Sequence, residues 1–187
     1  SPSQLFHSVS YKVDSQGDVT VSLEYPGYDN LPSLPAYGMD FKLKSAYQNV
    51  RFYGYGPDEN YIDRKEGARL GIFETTAQAN EAPYLVPQET GNRCGVRWLE
   101  VTDSLGAGLI FEAVGKPFET SVLPHSVYEL DNASHQEELS PSHFTWVRVL
   151  AAQMGVGGDD SWGAPVQEIY QLPSQDRQTI SFKIKVK

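Results

Sequence analysis

Alternation of apolar and polar side chains is the clearest pattern along the chain, and it predicts β-strands. Residues 180–187 alternate isoleucine, phenylalanine or valine with serine or lysine. Successive side chains of a strand point to opposite faces, so this segment indicates one buried and one solvated face. Residues 5–25 show similar alternation around the turn-forming segment 14–18, which predicts a hairpin. Further strands are predicted over residues 41–44, 50–55, 96–101, 109–114 and 144–151.

A single short helix is predicted between the strands. Ser126 and Glu129 have the spacing of a capping box, in which each side chain satisfies a backbone N–H at the helix start. The helix would run to about Ala133, and residues 26–37, with three prolines, are predicted to form a loop. The chain therefore belongs to the all-β class, with residues 1–187 forming a single domain, a large antiparallel β-sandwich.

Composition supports this fold class and narrows the possible partners. Aromatic residues make up 12% of the 187 residues, and there are 16 glycines and 12 prolines, as expected for strands joined by turns. The net charge of −9 argues against binding nucleic acid or an anionic membrane surface. A lone cysteine excludes an internal disulfide. We expect a cytoplasmic protein with no nucleic-acid or membrane partner.

The nucleophilic and metal-ligating residues form no recognisable catalytic pattern. The four histidines are scattered, with no pair at the spacing of metal ligands, and a surface or capping role is the simpler interpretation. Cys94 lies in a Gly-Asn-Arg-Cys-Gly segment with no histidine close in sequence, which favours a small buried thiol over a nucleophile.

Two segments are unusual in composition. Residues 53–64 begin at the end of a predicted strand, which Gly56 and Pro57 terminate, and continue with a dense cluster of acidic, aromatic and basic residues. They could form a carboxylate pair in a cleft or, more simply, an ordered loop fixed by Asp63 and Arg64. Residues 154–165, hereafter the glycine loop, carry three glycines followed by Asp159, Asp160 and Trp162. Two interpretations of the indole fit the sequence: it stacks on a sugar ring, or it fills the core.

These segments resemble motifs of the large β-galactosidases of glycoside hydrolase family 2. Residues 56–64, hereafter motif A, are similar to G-P-x-E-N-Y-x-D-R. Residues 83–93, hereafter motif B, are similar to P-Y-x-x-P-Q-E-x-G-N-R, and residues 155–163 are similar to G-x-G-G-D-x-S-W-G. The three motifs occur in the family's order and at similar spacing, and the resemblance covers nearly the whole chain.

The resemblance implies that the chain is the C-terminal part of the β-galactosidase small-chain domain. This domain is a β-sandwich of the galactose-mutarotase type. The resemblance further implies a parent enzyme that hydrolyses terminal β-galactosides such as lactose, with retention of the anomeric configuration. The catalytic glutamates lie in a separate barrel domain, absent from this chain, which also holds the Mg and Na ions common in the family. No catalytic residue and no cofactor are therefore expected here. The expected partners are the β-galactoside substrate and the remaining domains or large subunit.

The resemblance also assigns the substrate-binding residues. Trp162 matches a tryptophan that reaches the active site and stacks on the sugar. Asp159, Asp160 and Ser161 would shape its loop, with direct sugar contact a further possibility. Many family members have a histidine where this chain has Gln167. If that histidine anchors the loop, the amide of Gln167 would have to take its place. Glu59 and Arg93 are expected to be structural.

Two alternatives from other functional classes remain open. An autonomous carbohydrate-binding module would fit the aromatic content and the glycine loop, but it requires that the isolated chain bind sugar. A mutarotase-like protein would need a histidine and a carboxylate converging on the anomeric carbon, and the recognised motifs contain no histidine.

Overall fold

The structure is a computed structural model that describes residues 5–160 and 163–187. The described residues form eleven strands and two short α-helices. The strands are β1 (Ser8–Val13), β2 (Val19–Tyr25), β3 (Ala36–Lys44), β4 (Asn49–Gly56), β5 (Arg69–Thr76), β6 (Arg93–Val96), β7 (Trp98–Thr102), β8 (Gly108–Ala113), β9 (Phe118–Leu123), β10 (Phe144–Gln153) and β11 (Gln178–Val186). The helices are α1 (Ala77–Asn80) and α2 (Val127–Asn132).

The strands form two sheets of unequal size. A seven-stranded sheet has the order β1-β2-β11-β8-β7-β4-β5, and a four-stranded sheet has the order β3-β10-β9-β6. All strand pairs are antiparallel. The architecture is therefore the predicted all-β sandwich.

The core lies between the two sheets and is rich in aromatic rings. Phe41 of the smaller sheet packs on Phe111 of the larger sheet, with ring centroids 5.1 Å apart, and meets Phe182 edge-on at 6.0 Å. Phe111 and Phe182 are completely buried. Burial of these large rings stabilises the contact between the sheets, since each removes well over 100 Å² from water on the general scale for aromatic side chains.

The regions of clear alternation are confirmed as strands. β1 and β2 pair from Ser8 opposite Glu24 to Val13 opposite Val19, which is the predicted hairpin. The capping box is also present: Glu129 N–H donates to Ser126 Oγ at 3.2 Å, and the Glu129 carboxylate accepts the Ser126 N–H at 2.7 Å.

The sequence pattern does not predict β5, β6, β9 or α1. In β5 the apolar Leu70 and Ile72 are 44% and 54% exposed, so apolar residues occur on both faces and obscure the alternation. β9 is buried at five of its six positions, which also removes the two-residue period. None of the described helices is long and apolar enough to cross a membrane.

Candidate functional site

Motif A contacts both motif B and the glycine loop, although the three segments are distant in the chain. Motif A follows β4, motif B leads into β6, and the glycine loop follows β10. Their contacts consist mainly of side chains that bond to backbone groups of another motif. Such bonds fix the path of a loop, because a polar backbone group that is buried needs a partner.

Glu59 of motif A binds motif B through three hydrogen bonds. Its Oε2 accepts the Gly91 N–H at 2.7 Å and the Thr90 hydroxyl at 3.0 Å, and its Oε1 accepts the Tyr84 hydroxyl. The hydrogen bond to Glu59, aided by burial, raises the pKa of Tyr84 to about 12. Glu59 therefore acts as a structural acceptor that holds the two motifs together, as the sequence predicted.

Asn60 and Asn92 continue this connection beneath the surface. Asn60 Nδ2 donates to the Tyr55 carbonyl at 2.9 Å, while Asn60 Oδ1 accepts the Cys94 N–H at 2.8 Å. Asn92 Nδ2 donates to the Asn60 carbonyl at 3.1 Å and to Glu119 Oε2 at 2.7 Å. Both asparagines are fully buried, so their amides serve as internal hydrogen-bonding groups that replace water.

Cys94 is a buried thiol, as predicted, and its surroundings disfavour a nucleophilic role. Its Sγ lies 3.5 Å from Glu119 Oε2 and 3.5 Å from the Asn60 carbonyl oxygen. Burial and the neighbouring Glu119 carboxylate raise the pKa of the Cys94 thiol, and burial likewise raises the pKa of Glu119. A nucleophilic cysteine requires the opposite shift, because the thiolate is the reactive species.

Arg93 is buried and bonds to the backbone of its own motif. Its Nη1 donates to the Gly91 and Asn92 carbonyls, each at 3.1 Å, and its guanidinium lies over the Phe52 ring at 5.6 Å from the ring centroid. Burial lowers the pKa of Arg93. These contacts agree with the structural role expected from the sequence.

Asp63 and Arg64 of motif A form hydrogen bonds to the backbone of the glycine loop. Gly157 N–H donates to Asp63 Oδ2 at 2.9 Å, and Arg64 Nη2 donates to the Gly157 carbonyl. Both polar backbone groups of one residue are thus held by adjacent charged side chains 93 and 94 positions away in sequence. We refer to this pair of bonds as the Gly157 clamp.

The glycines of the loop make this close approach possible. A Cβ at position 155 would lie 2.6 Å from Asp63 Oδ2, and Gly157 has a φ of +66°. A side chain would therefore clash at the first position and would be strained at the second. The loop is tied at its base by a further bond, in which Gly155 N–H donates to the Tyr170 carbonyl at 2.8 Å.

The sequence predicted Asp159, Asp160, Ser161 and Trp162 as substrate-binding residues. Asp160 Oδ1 accepts the Ala164 N–H at 3.1 Å, and Gln167 Nε2 donates to Asp159 Oδ2 at 3.1 Å. Both exposed aspartates thus bond to residues further along the chain, and the Gln167 amide is the partner of Asp159. Ser161 and Trp162 lie outside the described residues.

Two of the four histidines are paired with carboxylates. Buried His125 bonds through Nδ1 to the Glu81 carboxylate at 2.9 Å and through Nε2 to the Ser140 carbonyl at 2.8 Å. Both of its ring nitrogens are therefore occupied. His135 is bonded to Glu138 at 3.2 Å on the surface. Among the residues that the structure describes, no group of three or more His, Cys, Asp or Glu could hold a metal ion.

A cavity of about 590 Å³ lies beside the clamp. Its walls come from motifs A and B, α2 and the glycine loop. Polar residues of the wall include Arg64, Tyr84, Glu89, Asp131 and Gln153. A volume of this size is in the range of ligand clefts.

Sequence reasoning identified the motifs but not the contacts between them. The sequence does not predict that Tyr84 bonds to Glu59 or that Glu119 bonds to Asn92. The available signal was the density of polar residues in motifs A and B. Motif A carries a Glu-Asn pair and motif B carries an Asn-Arg pair, which a loop that only connects two strands does not need. Such polar side chains are expected to form hydrogen bonds when they are buried.

Comparison with known proteins identifies the family. The sequence profile described as "Beta galactosidase small chain" matches residues 2–185. The chain is 47% identical over 177 residues to a β-galactosidase from Streptococcus thermophilus and 48% identical over 183 residues to one from Bifidobacterium adolescentis. These matches cover 95% and 96% of this chain but 17% of each relative.

A third relative is a separate subunit. The chain is 34% identical over 186 residues to a β-galactosidase small subunit from Latilactobacillus sakei, covering 94% of this chain and 58% of that protein. The chain therefore spans about a sixth of the whole β-galactosidases and somewhat more than half of the small subunit. With the profile matching nearly its full length, this chain belongs to the β-galactosidase small-chain family.

Proposed function

We propose that this chain is a non-catalytic part of a β-galactosidase of glycoside hydrolase family 2 and that its glycine loop presents Trp162 to the substrate. The observation that carries this proposal is the Gly157 clamp. Two charged side chains from a distant motif fix both polar backbone groups of a residue five positions before Trp162. Such an anchor is expected where a loop must deliver a side chain to a defined point.

The carboxylates of the motifs support a non-catalytic role. A retaining glycosidase uses two carboxyl groups about 5 Å apart that flank the scissile bond, one as nucleophile and one as acid/base. Glu59 and Asp63 instead accept backbone N–H groups of neighbouring loops. We assign both catalytic carboxyls to the rest of the parent enzyme, together with the Mg and Na sites of its barrel. The chain alone would then not hydrolyse galactosides.

In the assembled enzyme, Trp162 would supply a flat apolar surface to one face of the sugar. The indole π face meets the C–H groups of the ring, while hydroxyl groups are bonded by the other wall of the site. Asp159, Asp160 and Ser161 would orient the loop, the first two through their bonds to Gln167 and Ala164. The substrate class is terminal β-galactosides such as lactose, and the loop would also favour binding of an acceptor sugar.

Replacing Trp162 in the intact enzyme tests this role. Trp162→Ala removes the stacking surface, and the loss of about 1 kcal/mol corresponds to roughly a fivefold increase in KM for lactose. Galactosyl transfer to an added acceptor sugar is expected to fall as well. The measurements are steady-state kinetics and the ratio of transfer to hydrolysis.

Trp162→Phe is the matched control, because it keeps a flat ring at the same position. Its KM is expected to lie between those of the wild type and Trp162→Ala. If Trp162→Ala leaves both KM and the transfer ratio unchanged, Trp162 has no role in sugar binding and the proposal is wrong.

A further inference from the structure

We propose that the cavity beside the Gly157 clamp is a subsite for the third sugar unit of an oligosaccharide. The enzyme would then bind galactosides and acceptors that are longer than a disaccharide. This inference rests on the proposed function, because it takes the glycine loop to lie against a bound saccharide. It adds to that function a class of ligand and the residues that hold it, of which Gln153 is the central one.

The buried amide of Gln153 is the observation that carries this proposal. Gln153 is the last residue of β10, lines the cavity and is 7% exposed. Its Oε1 has no hydrogen-bond partner within the described part of the chain. Buried polar groups are almost always bonded, so an unpaired amide beside a cavity points to a polar ligand. Because rotation about the terminal torsion exchanges the amide oxygen and nitrogen, the group can offer the cavity an acceptor or a donor.

The rest of the cavity wall combines apolar and polar surface, as a sugar requires. Leu130 and Met154 contribute apolar side chains, and Tyr84 contributes an aromatic one whose hydroxyl is fixed by its bond to Glu59. A sugar ring presents C–H groups on its faces and hydroxyl groups around its rim. Apolar walls with a few polar groups among them are typical of sites for such a ligand.

The charges around the cavity favour a neutral ligand. Its charged lining residues are Arg64, Glu89 and Asp131. Glu89 is neutralised by Arg148, whose Nη1 donates to Glu89 Oε2 at 2.8 Å. The remaining guanidinium and carboxylate balance each other, so neither an anion nor a cation is attracted by net charge. Both groups can still bind hydroxyls, because a guanidinium donates to a hydroxyl oxygen and a carboxylate accepts from a hydroxyl group.

The position of the cavity identifies which sugar unit it receives. Gly155 and Gly158 of the glycine loop line it, and Trp162 lies four positions after Gly158. Four residues span at most about 14 Å, so Trp162 lies within the length of a short oligosaccharide from the cavity. Lactose has one sugar unit beyond its galactosyl unit. A saccharide that stacks on the indole therefore needs a further unit to occupy the cavity.

Gln153→Leu in the intact enzyme tests the proposal. The substrates are lactose and a trisaccharide in which one more β-galactosyl unit is attached to lactose. The ratio of kcat/KM for the trisaccharide to kcat/KM for lactose is expected to fall roughly fivefold, because one hydrogen bond to the third unit is lost. Galactosyl transfer to lactose should fall by a similar factor relative to transfer to glucose, since the larger acceptor alone reaches the cavity.

Gln16→Leu is the matched control, because Gln16 is exposed in the turn between β1 and β2. It should leave the ratio unchanged. Gln153→Leu should not lower the Tm of the intact enzyme, since leucine is of similar size and the Oε1 that it removes has no partner in the described chain. If that variant does not fold, Asp131→Ala decides the question by the same ratio, because Asp131 is exposed on α2.

A ratio equal to that of the wild type would overturn the proposal. An equal fall in Gln16→Leu would do the same, since the effect would then not come from the cavity. A change in Tm with an unchanged ratio would mean that a protein side chain, not a sugar, completes the Gln153 amide.

The result is separable from that of the Trp162 experiment. If KM for lactose rises in Trp162→Ala while Gln153→Leu keeps the wild-type ratio, the proposed function stands and the cavity is not a subsite. If KM for lactose is unchanged in Trp162→Ala, the proposed role of the loop fails whatever the ratio in Gln153→Leu.

Discussion

At the residue scale, carboxylates hold loops by accepting backbone N–H groups. Glu59 binds the Gly91 N–H and Asp63 binds the Gly157 N–H, at 2.7 and 2.9 Å. A bond from an ionised group to a backbone amide is stronger than one between neutral groups. Motif A therefore connects to motif B through one acidic side chain and to the glycine loop through another.

Asp63→Asn is expected to weaken the Gly157 clamp. The neutral amide replaces a charge-assisted bond, which costs about 1–2 kcal/mol of stability. Because Gly157 leads into the part of the loop that carries Trp162, KM for lactose in the intact enzyme should also rise, as in Trp162→Ala. The measurements are urea unfolding and steady-state kinetics.

Asp58→Asn is the matched control for this change, since Asp58 is an exposed residue of the same motif. Asp58→Asn should leave both the free energy of unfolding and the KM for lactose unchanged. If Asp63→Asn lowers the stability but leaves KM and the transfer ratio as in the wild type, the clamp has only a structural role.

Contacts of this kind could not be predicted from the sequence. The buried state of Cys94 follows from its residue type and its neighbours, and the structural roles of Glu59 and Arg93 follow from the family resemblance. The partners of Glu59, however, are 25 to 32 positions away, and those of Asp63 and Arg64 are 93 or 94 positions away. Local pattern carries no information on which distant loop a polar side chain will meet.

At the scale of secondary-structure elements, α2 depends strongly on its first turn. The helix has six residues, so the N-terminal capping box satisfies a large share of its unpaired backbone groups. Its buried residue, Leu130, lines the cavity. The cap therefore stabilises one wall of the cavity as well as the helix.

Ser126→Ala is expected to lower the free energy of unfolding by about 1 kcal/mol, because it removes the acceptor for the Glu129 N–H. Urea unfolding of the purified chain measures this change. Ser134→Ala is a suitable control, since Ser134 uses its backbone N–H, in a bond to Glu138. Equal losses in the two variants would show that the cap contributes nothing specific.

Elements with a clear local signal were predictable, and those shaped by the tertiary fold were not. β2 and β11 alternate strictly because one face is buried and the other is solvated. β6 is only four residues long, and its pairing with β9 shifts register between Arg93 and Val96. α1 has four residues and a threonine cap, a signal too short to distinguish from a turn.

At the scale of the whole molecule, the two sheets differ by three strands. The outer strand β1 leaves Tyr11 and Val13 each 64% exposed, although the alternation in that strand is typical of a half-buried position. β1 is the outer strand of the larger sheet, so these apolar side chains have a neighbouring strand on one side only.

The stability of the fold should vary with pH because of the hydrogen-bonded pair of His125 and Glu81. Burial lowers the pKa of His125, but the Ser140 carbonyl and the Glu81 and Glu129 carboxylates outweigh it, so the pKa lies above its usual value. The protonated form is therefore favoured in the folded state. Its contribution to stability is present below the unfolded pKa of about 6.5 and is lost as the pH rises through the higher folded pKa.

Urea unfolding from pH 5 to pH 9 tests this linkage. The difference in stability between the wild type and His125→Gln should be largest at the acidic end and should shrink as the pH rises. His143→Gln, at an exposed histidine, should follow the wild type throughout. A difference that grows with pH would contradict the assigned direction of the shift.

The Gly157 clamp also has a consequence for redesign. Its two bonds run to the main chain, so they set where the loop departs from the domain but do not depend on the side chains that follow. The pairing of Asp159 with Gln167 lies within the loop itself. Residues 159–167 can therefore be exchanged as one cassette, in which these two positions are varied together. On the proposed role of the loop in sugar binding, a library built on that cassette is expected to alter the choice of acceptor sugar, since the clamp that fixes its attachment point is kept.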